Sequence, residues 1–104
     1  MAKTITKGNI DSILSDNKIV VMDFWAEWCG PCRALSPIMD NISTRNSDIV
    51  VGKVDIDSNS DLASEYGVRS IPMLVFIKEG KILSKSVGIK SDIQIQEIIN
   101  SMKG

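Results

Sequence analysis

The chain has no histidine, only two cysteines, and no apolar run approaching the roughly 18 residues that a membrane span needs. Each shortage argues against a class of function. Zinc usually takes four nitrogen or sulfur ligands, and two cysteines without histidine supply at most half of such a set, so no metal centre is expected. Two cysteines are also too few for the disulfide framework of a small secreted domain, and in a reducing compartment a close pair is more often catalytic or metal-binding. Charge of one sign is lacking as well. Twelve basic against thirteen acidic residues leave a formal net charge of −1, which provides no basic field for nucleic acid or anionic lipid. The opening Met1-Ala2-Lys3-Thr4 leads into no apolar signal core. The expectation is a soluble, cytoplasmic protein with neither a nucleic-acid nor a membrane partner. At 104 residues and 43% hydrophobic, the chain suits one domain, residues 1–104, around one core.

What is present is organised as alternating strand-like and helix-like segments, without an internal repeat or low-complexity linker, and this predicts an α/β fold. Residues 19–25 form a nearly continuous apolar run, as expected of a central strand covered on both faces, with Asp23 as its one intruder. Leu35, Ile38, Met39 and Ile42 recur at helical spacing and mark one buried stripe, and Pro37 is expected to kink that helix. Residues 49–56 read as a second strand, followed by a short helix capped by Asn59 or Ser60 and stopped at Gly67. Residues 73–77 and 82–87 flank Glu79-Gly80, a turn signal that predicts an antiparallel hairpin. Ser91 and Gln94 form a capping-box pattern ahead of the stripe Ile95, Ile98, Ile99 and Met102. At the start, a short strand near residues 4–6 and a helix near residues 9–14 are expected.

The two cysteines stand three positions apart, in Cys29-Gly30-Pro31-Cys32, where the central strand gives way to the first long helix. Residues i and i+3 share one face of a helical turn, so the two sulfurs can meet. Cys29, just before the turn, would face unpaired backbone N–H groups and the positive end of the helix dipole, which stabilise a thiolate. It is the candidate nucleophile. Cys32, one turn further in, is the candidate resolving thiol, less accessible and protonated until a base acts. Pro31 suits a first helical turn because its missing N–H costs nothing there, and Gly30 allows another chain close to the sulfur. Two duller readings compete: half a zinc site, or a structural clamp, which so small a loop would stabilise little.

Residues 21–33, Val21-Met22-Asp23-Phe24-Trp25-Ala26-Glu27-Trp28-Cys29-Gly30-Pro31-Cys32-Arg33, resemble the active-site segment of the thioredoxin family. Pro37, Lys53, Asp57, Tyr66-Gly67-Val68-Arg69, Ile71-Pro72, Glu79-Gly80 and Val87-Gly88 recur in the family's order, so the resemblance covers roughly residues 3–103. It implies a central mixed five-stranded sheet flanked by about four helices, and a protein-disulfide reductase that works by dithiol/disulfide exchange. No cofactor need be bound, because the redox group is the Cys29–Cys32 disulfide. The implied partners are multiple disulfide-containing client proteins and a thioredoxin reductase, an NADPH-dependent flavoprotein. A monomer is expected.

The resemblance also assigns roles. Asp23 is implied as the proton acceptor for Cys32, Lys53 as the residue that moderates its charge, and Ile71-Pro72 as a cis peptide packed against the cysteines. Trp28, Ile71, Pro72, Gly88 and Ile89 are expected to form a client-binding rim. The structural alternative for Asp23 is a charge that merely satisfies Lys53 or a polar neighbour, and Arg69 reads as a solvated surface charge. Met73 and Ser70 stand where many relatives carry threonine and glycine, and they are expected to alter client choice rather than chemistry. A disulfide oxidant or isomerase on the same fold, and a binding subunit without redox turnover, remain as alternatives.

Overall fold

A computed structural model describes residues 2–104. Five strands form one sheet: β1 (Lys3–Thr4), β2 (Ile19–Trp25), β3 (Val50–Asp55), β4 (Met73–Lys78) and β5 (Lys81–Val87). Four helices accompany them: α1 (Ile10–Asp16), α2 (Gly30–Arg45), α3 (Ser60–Glu65) and α4 (Asp92–Lys103). The strand order is β1-β3-β2-β4-β5. β1 and β2 pair with β3 in parallel, whereas β4 runs antiparallel to β2 and to β5. The sheet is therefore mixed, with β2 at its centre.

The near-continuous apolar character of β2 follows from having a helical layer on each side. Ile19 and Val21 join Leu35, Met39 and Ile42 of α2 and Ile95 and Ile99 of α4 in one core. Val20, Met22 and Phe24 join Ile10 and Ile13 of α1 and Leu62 of α3 in the other. Asp23 has the parity of Val21, so it lies on the face covered by α2.

The ends of the elements show which local signals hold. Ser91 caps α4 as a complete capping box: its hydroxyl accepts from the Gln94 N–H at 3.1 Å, and its own N–H donates to the Gln94 side chain at 3.0 Å. Glu79 and Gly80 turn between β4 and β5 with φ of 52° and 78°, the left-handed pair that matches hairpin twist. Asn59 precedes α3 without a side-chain capping bond. Its carboxamide oxygen instead accepts from the Lys7 N–H at 3.1 Å. β1 ends at Thr4, short of the expected residue 6, yet the Ile5 N–H still donates to the Lys53 carbonyl at 2.9 Å. Helix α1 extends to Asp16, two residues beyond the expected end.

β5 forms an edge of the sheet and is largely exposed. Its pairing with β4 slips between Phe76, opposite Ser84, and Ile77, opposite Ile82, so Leu83 is an extra residue in a bulge. Among the described residues no helix is long and apolar enough to cross a membrane.

Gly52 in β3 pairs with both Lys3 and Met22. A Cβ there would run into the side chain of Ile5, which is fully buried, and would sit 3.1 Å from the Lys3 carbonyl. Gly52→Val is expected to push Ile5 out of the core and cost about 3 kcal/mol. Urea unfolding would read this as a lowered midpoint, and an unchanged midpoint would show that β1 yields without cost.

Candidate redox site

α2 begins directly after Cys29. Cys29 has the extended backbone of a cap residue (φ −92°, ψ 110°), and its Sγ accepts from the Cys32 N–H at 3.2 Å. The sulfur therefore occupies the place that a serine or aspartate oxygen fills in other helices. Pro31 stands in the first turn, where no N–H is needed. Cys29 and Cys32 are joined in a disulfide with their Cα atoms 5.3 Å apart. Burial separates the two residues less than the spacing implied: Cys29 is 5% and Cys32 2% exposed. Their polar surroundings differ more, since Cys29 receives the helix-terminal N–H. On reduction that N–H and the helix dipole favour a thiolate at Cys29.

A remote segment completes the cover. The Ile71–Pro72 peptide is cis, and the Ile71 carbonyl oxygen lies 3.9 Å from Cys29 Sγ. In the disulfide that sulfur carries no proton, so this is an approach rather than a hydrogen bond. The Gly88 N–H donates to the Pro72 carbonyl at 2.9 Å. Gly88 has φ 92°, which favours glycine, and the bond ties the loop after β5 to the loop before β4. Trp28, next to Cys29 in sequence, is 68% exposed, and its indole N–H donates to Asp57 Oδ2 at 3.0 Å, which fixes the ring's orientation. Ile89 follows Gly88 and is exposed, whereas Ile71 is half-buried against the cysteines.

Beneath α2, Asp23 is fully buried, and neither carboxyl oxygen has a hydrogen-bond partner among the described residues. Desolvation pushes its pKa up to about 7, with the positive charge of Lys53 pulling in the opposite direction. Lys53 stands opposite Asp23 in the β2–β3 register. Its ammonium donates to Ser36 Oγ and lies 5.1 Å from the centre of the Trp25 ring. Lys53, Ser36 and Trp25 border a cavity of about 600 Å³ that also reaches Glu27, Asp40 and Asp55.

Sequence reasoning passed over two of these residues. Asp57 was visible only as part of the family pattern, although it anchors the exposed tryptophan. Ser36 carried a usable signal, as a polar residue four positions after Cys32 and so on the same helix face.

A disulfide that caps a helix at the end of a central strand, with a buried carboxyl in that strand that has no hydrogen-bond partner among the described residues, defines a thiol–disulfide oxidoreductase. Comparison with known proteins narrows the class. The Thioredoxin family model matches residues 1–101. A thioredoxin of Mycoplasmoides gallisepticum is 38% identical over 99 residues, covering 95% of this chain and 99% of that protein. One from Chlamydia pneumoniae is 41% identical over 100 residues, covering 96% and 97%. Among solved structures, a mutant thioredoxin from Halobacterium salinarum NRC-1 superposes with a TM-score of 0.93 at 35% identity, covering 99% of this chain and 91% of that one. The chain belongs to the thioredoxin family. Its activity is that of a protein-disulfide reductase, and its redox group is the Cys29–Cys32 disulfide. Its partners are disulfide-containing client proteins and a reductase that restores the dithiol.

Proposed function

We propose that Cys29 is the nucleophile and Cys32 the resolving thiol of a cytoplasmic, monomeric reductase. The Cys29 thiolate attacks one sulfur of a client disulfide, forming a mixed disulfide and releasing the other client sulfur as a thiolate. Cys32, losing its proton to Asp23, then attacks Cys29 Sγ, so that the Cys29–Cys32 bond forms and the second client sulfur leaves. The client gains two electrons and the chain loses two. Lys53 moderates the charge on Asp23, and Gly30 and Pro31 keep the pair in the first turn of α2. Trp28, Ile71, Pro72, Gly88 and Ile89 receive the client. An NADPH-dependent flavoprotein, a thioredoxin reductase, returns two electrons to the disulfide, and residues 1–104 act as one domain.

The observation that carries this reading is the Cys32 N–H bonded to Cys29 Sγ at 3.2 Å, on the helix face that covers the buried Asp23. The test is insulin-disulfide reduction coupled to a purified flavoprotein reductase and NADPH. The native chain is expected to consume NADPH and precipitate the insulin B chain, whereas Cys29→Ser is expected to do neither. Turnover by Cys29→Ser would remove the assignment of the nucleophile.

A further inference from the structure

We propose that Ser36 is a positioning residue for the resolving step, holding the Lys53 ammonium inward beside Asp23 and thereby setting how readily that carboxyl exchanges its proton. This rests on the reading of Asp23 as the proton acceptor for Cys32. Ser36 lies one helical turn after Cys32, on the α2 face that covers the sheet, and its Oγ accepts directly from Lys53 Nζ. Asp23 and Lys53 are cross-strand partners, yet no bond to Lys53 reaches either buried carboxyl oxygen. Lys53 thus acts on Asp23 through its charge alone, and the strength of that influence depends on where a long, flexible side chain holds its head.

The alternatives open to that head make the serine consequential. The cavity bordered by Lys53 presents three carboxylates: Glu27 from the segment between β2 and α2, Asp40 from α2 and Asp55 from β3. Asp40 already accepts from the Ala2 N–H at 3.0 Å, and Asp55 from the Asp57 N–H at 2.9 Å, so neither is committed to the lysine. On its other flank Asp23 stands opposite the apolar Leu74 of β4. Among the described residues, Lys53 is the cation that acts on Asp23. Without the Ser36 hydroxyl, the ammonium is free to turn towards water and the carboxylates of the cavity, and the charge that favours ionised Asp23 retreats.

The test follows the Asp23 carboxyl carbon by NMR through a pH titration of the oxidised protein, in which neither cysteine titrates. Ser36→Ala is expected to raise the midpoint by about 0.5–1 pH unit. Ser36→Thr, which keeps the hydroxyl, is expected to restore it, and in a Lys53→Met background Ser36→Ala is expected to produce no further rise. An unchanged or lowered midpoint in Ser36→Ala overturns the proposal. So does a rise of equal size in the Lys53→Met background, since it would show that the serine acts by packing and not through the lysine. The same variants, followed by rapid mixing, report the rate at which Cys32 resolves a mixed disulfide. A raised midpoint with an unaltered resolving rate would leave the Ser36–Lys53 placement standing and remove Asp23 as the base.

Discussion

Cys32→Ser is expected to convert the protein from a catalyst into a trap. Its Cys29 thiolate still attacks a client disulfide, because the Cys32 N–H and the helix terminus that stabilise it are backbone features and survive the substitution. The second step then has no thiol to carry it out, and the client stays attached through a Cys29 mixed disulfide until an external thiol arrives. Cys29→Ser is the complementary case. The Cys32 N–H is directed at Cys29 Sγ, so the remaining Cys32 sulfur lacks that stabilisation, and adduct formation should be slower on the order of 10²-fold. Mass spectrometry under non-reducing conditions, with a small disulfide-bonded peptide as probe, separates the two. Equal adduct yields from both variants would show that the sulfurs are interchangeable and that the asymmetric mechanism fails.

Asp23→Asn is expected to make the protein more stable and less active at once. In the unfolded chain the carboxyl ionises at its ordinary value of 3.8, while burial in the folded protein holds it up to about 7. Below about pH 4 both states carry the proton and the group has no effect on stability. Between these values the unfolded state ionises and the folded state does not, so native stability falls as pH rises. Above about pH 7 the loss is complete, at about 4 kcal/mol. An isosteric amide has no such dependence, so Asp23→Asn should be more stable at pH 8 by about that amount and nearly matched at pH 4. Urea unfolding at the two pH values checks this, and parallel stability curves would show that Asp23 ionises no differently in the two states. The same variant should resolve mixed disulfides ~10²-fold more slowly at neutral pH, the usual contribution of a positioned base, with part of the loss recovered in alkaline solution where Cys32 ionises unaided.

How legible each part was depends on whether its cause is local. β2 could be read because burial on both faces demands apolar residues at every position, and that same demand made Asp23 conspicuous. The capping box of α4 could be read because both of its bonds fall within four residues. Asn59 shows the opposite case. It has a helix-capping residue type in the right place, but its side chain serves Lys7, 52 positions away, and no local pattern reports that. β1 is two residues long and survives by pairing with β3, so its limits lay beyond propensity. The spacing of the cysteines revealed the chemistry and predicted a sheltered Cys32, but the cover over Cys29 comes from Ile71 and its neighbours. Both cysteines are consequently buried to nearly the same degree.

The two flanks of the sheet bear on where an extended polypeptide can settle. At one flank β1 offers only Lys3 and Thr4, too short a run to template another strand. At the other, β5 is bent by its bulge at Leu83 and carries Lys81 and Lys85, features that discourage lengthwise annealing of foreign chains. Neither margin is a ready seat for stray backbone, and the same guarding works against stacking of one copy upon the next into fibres.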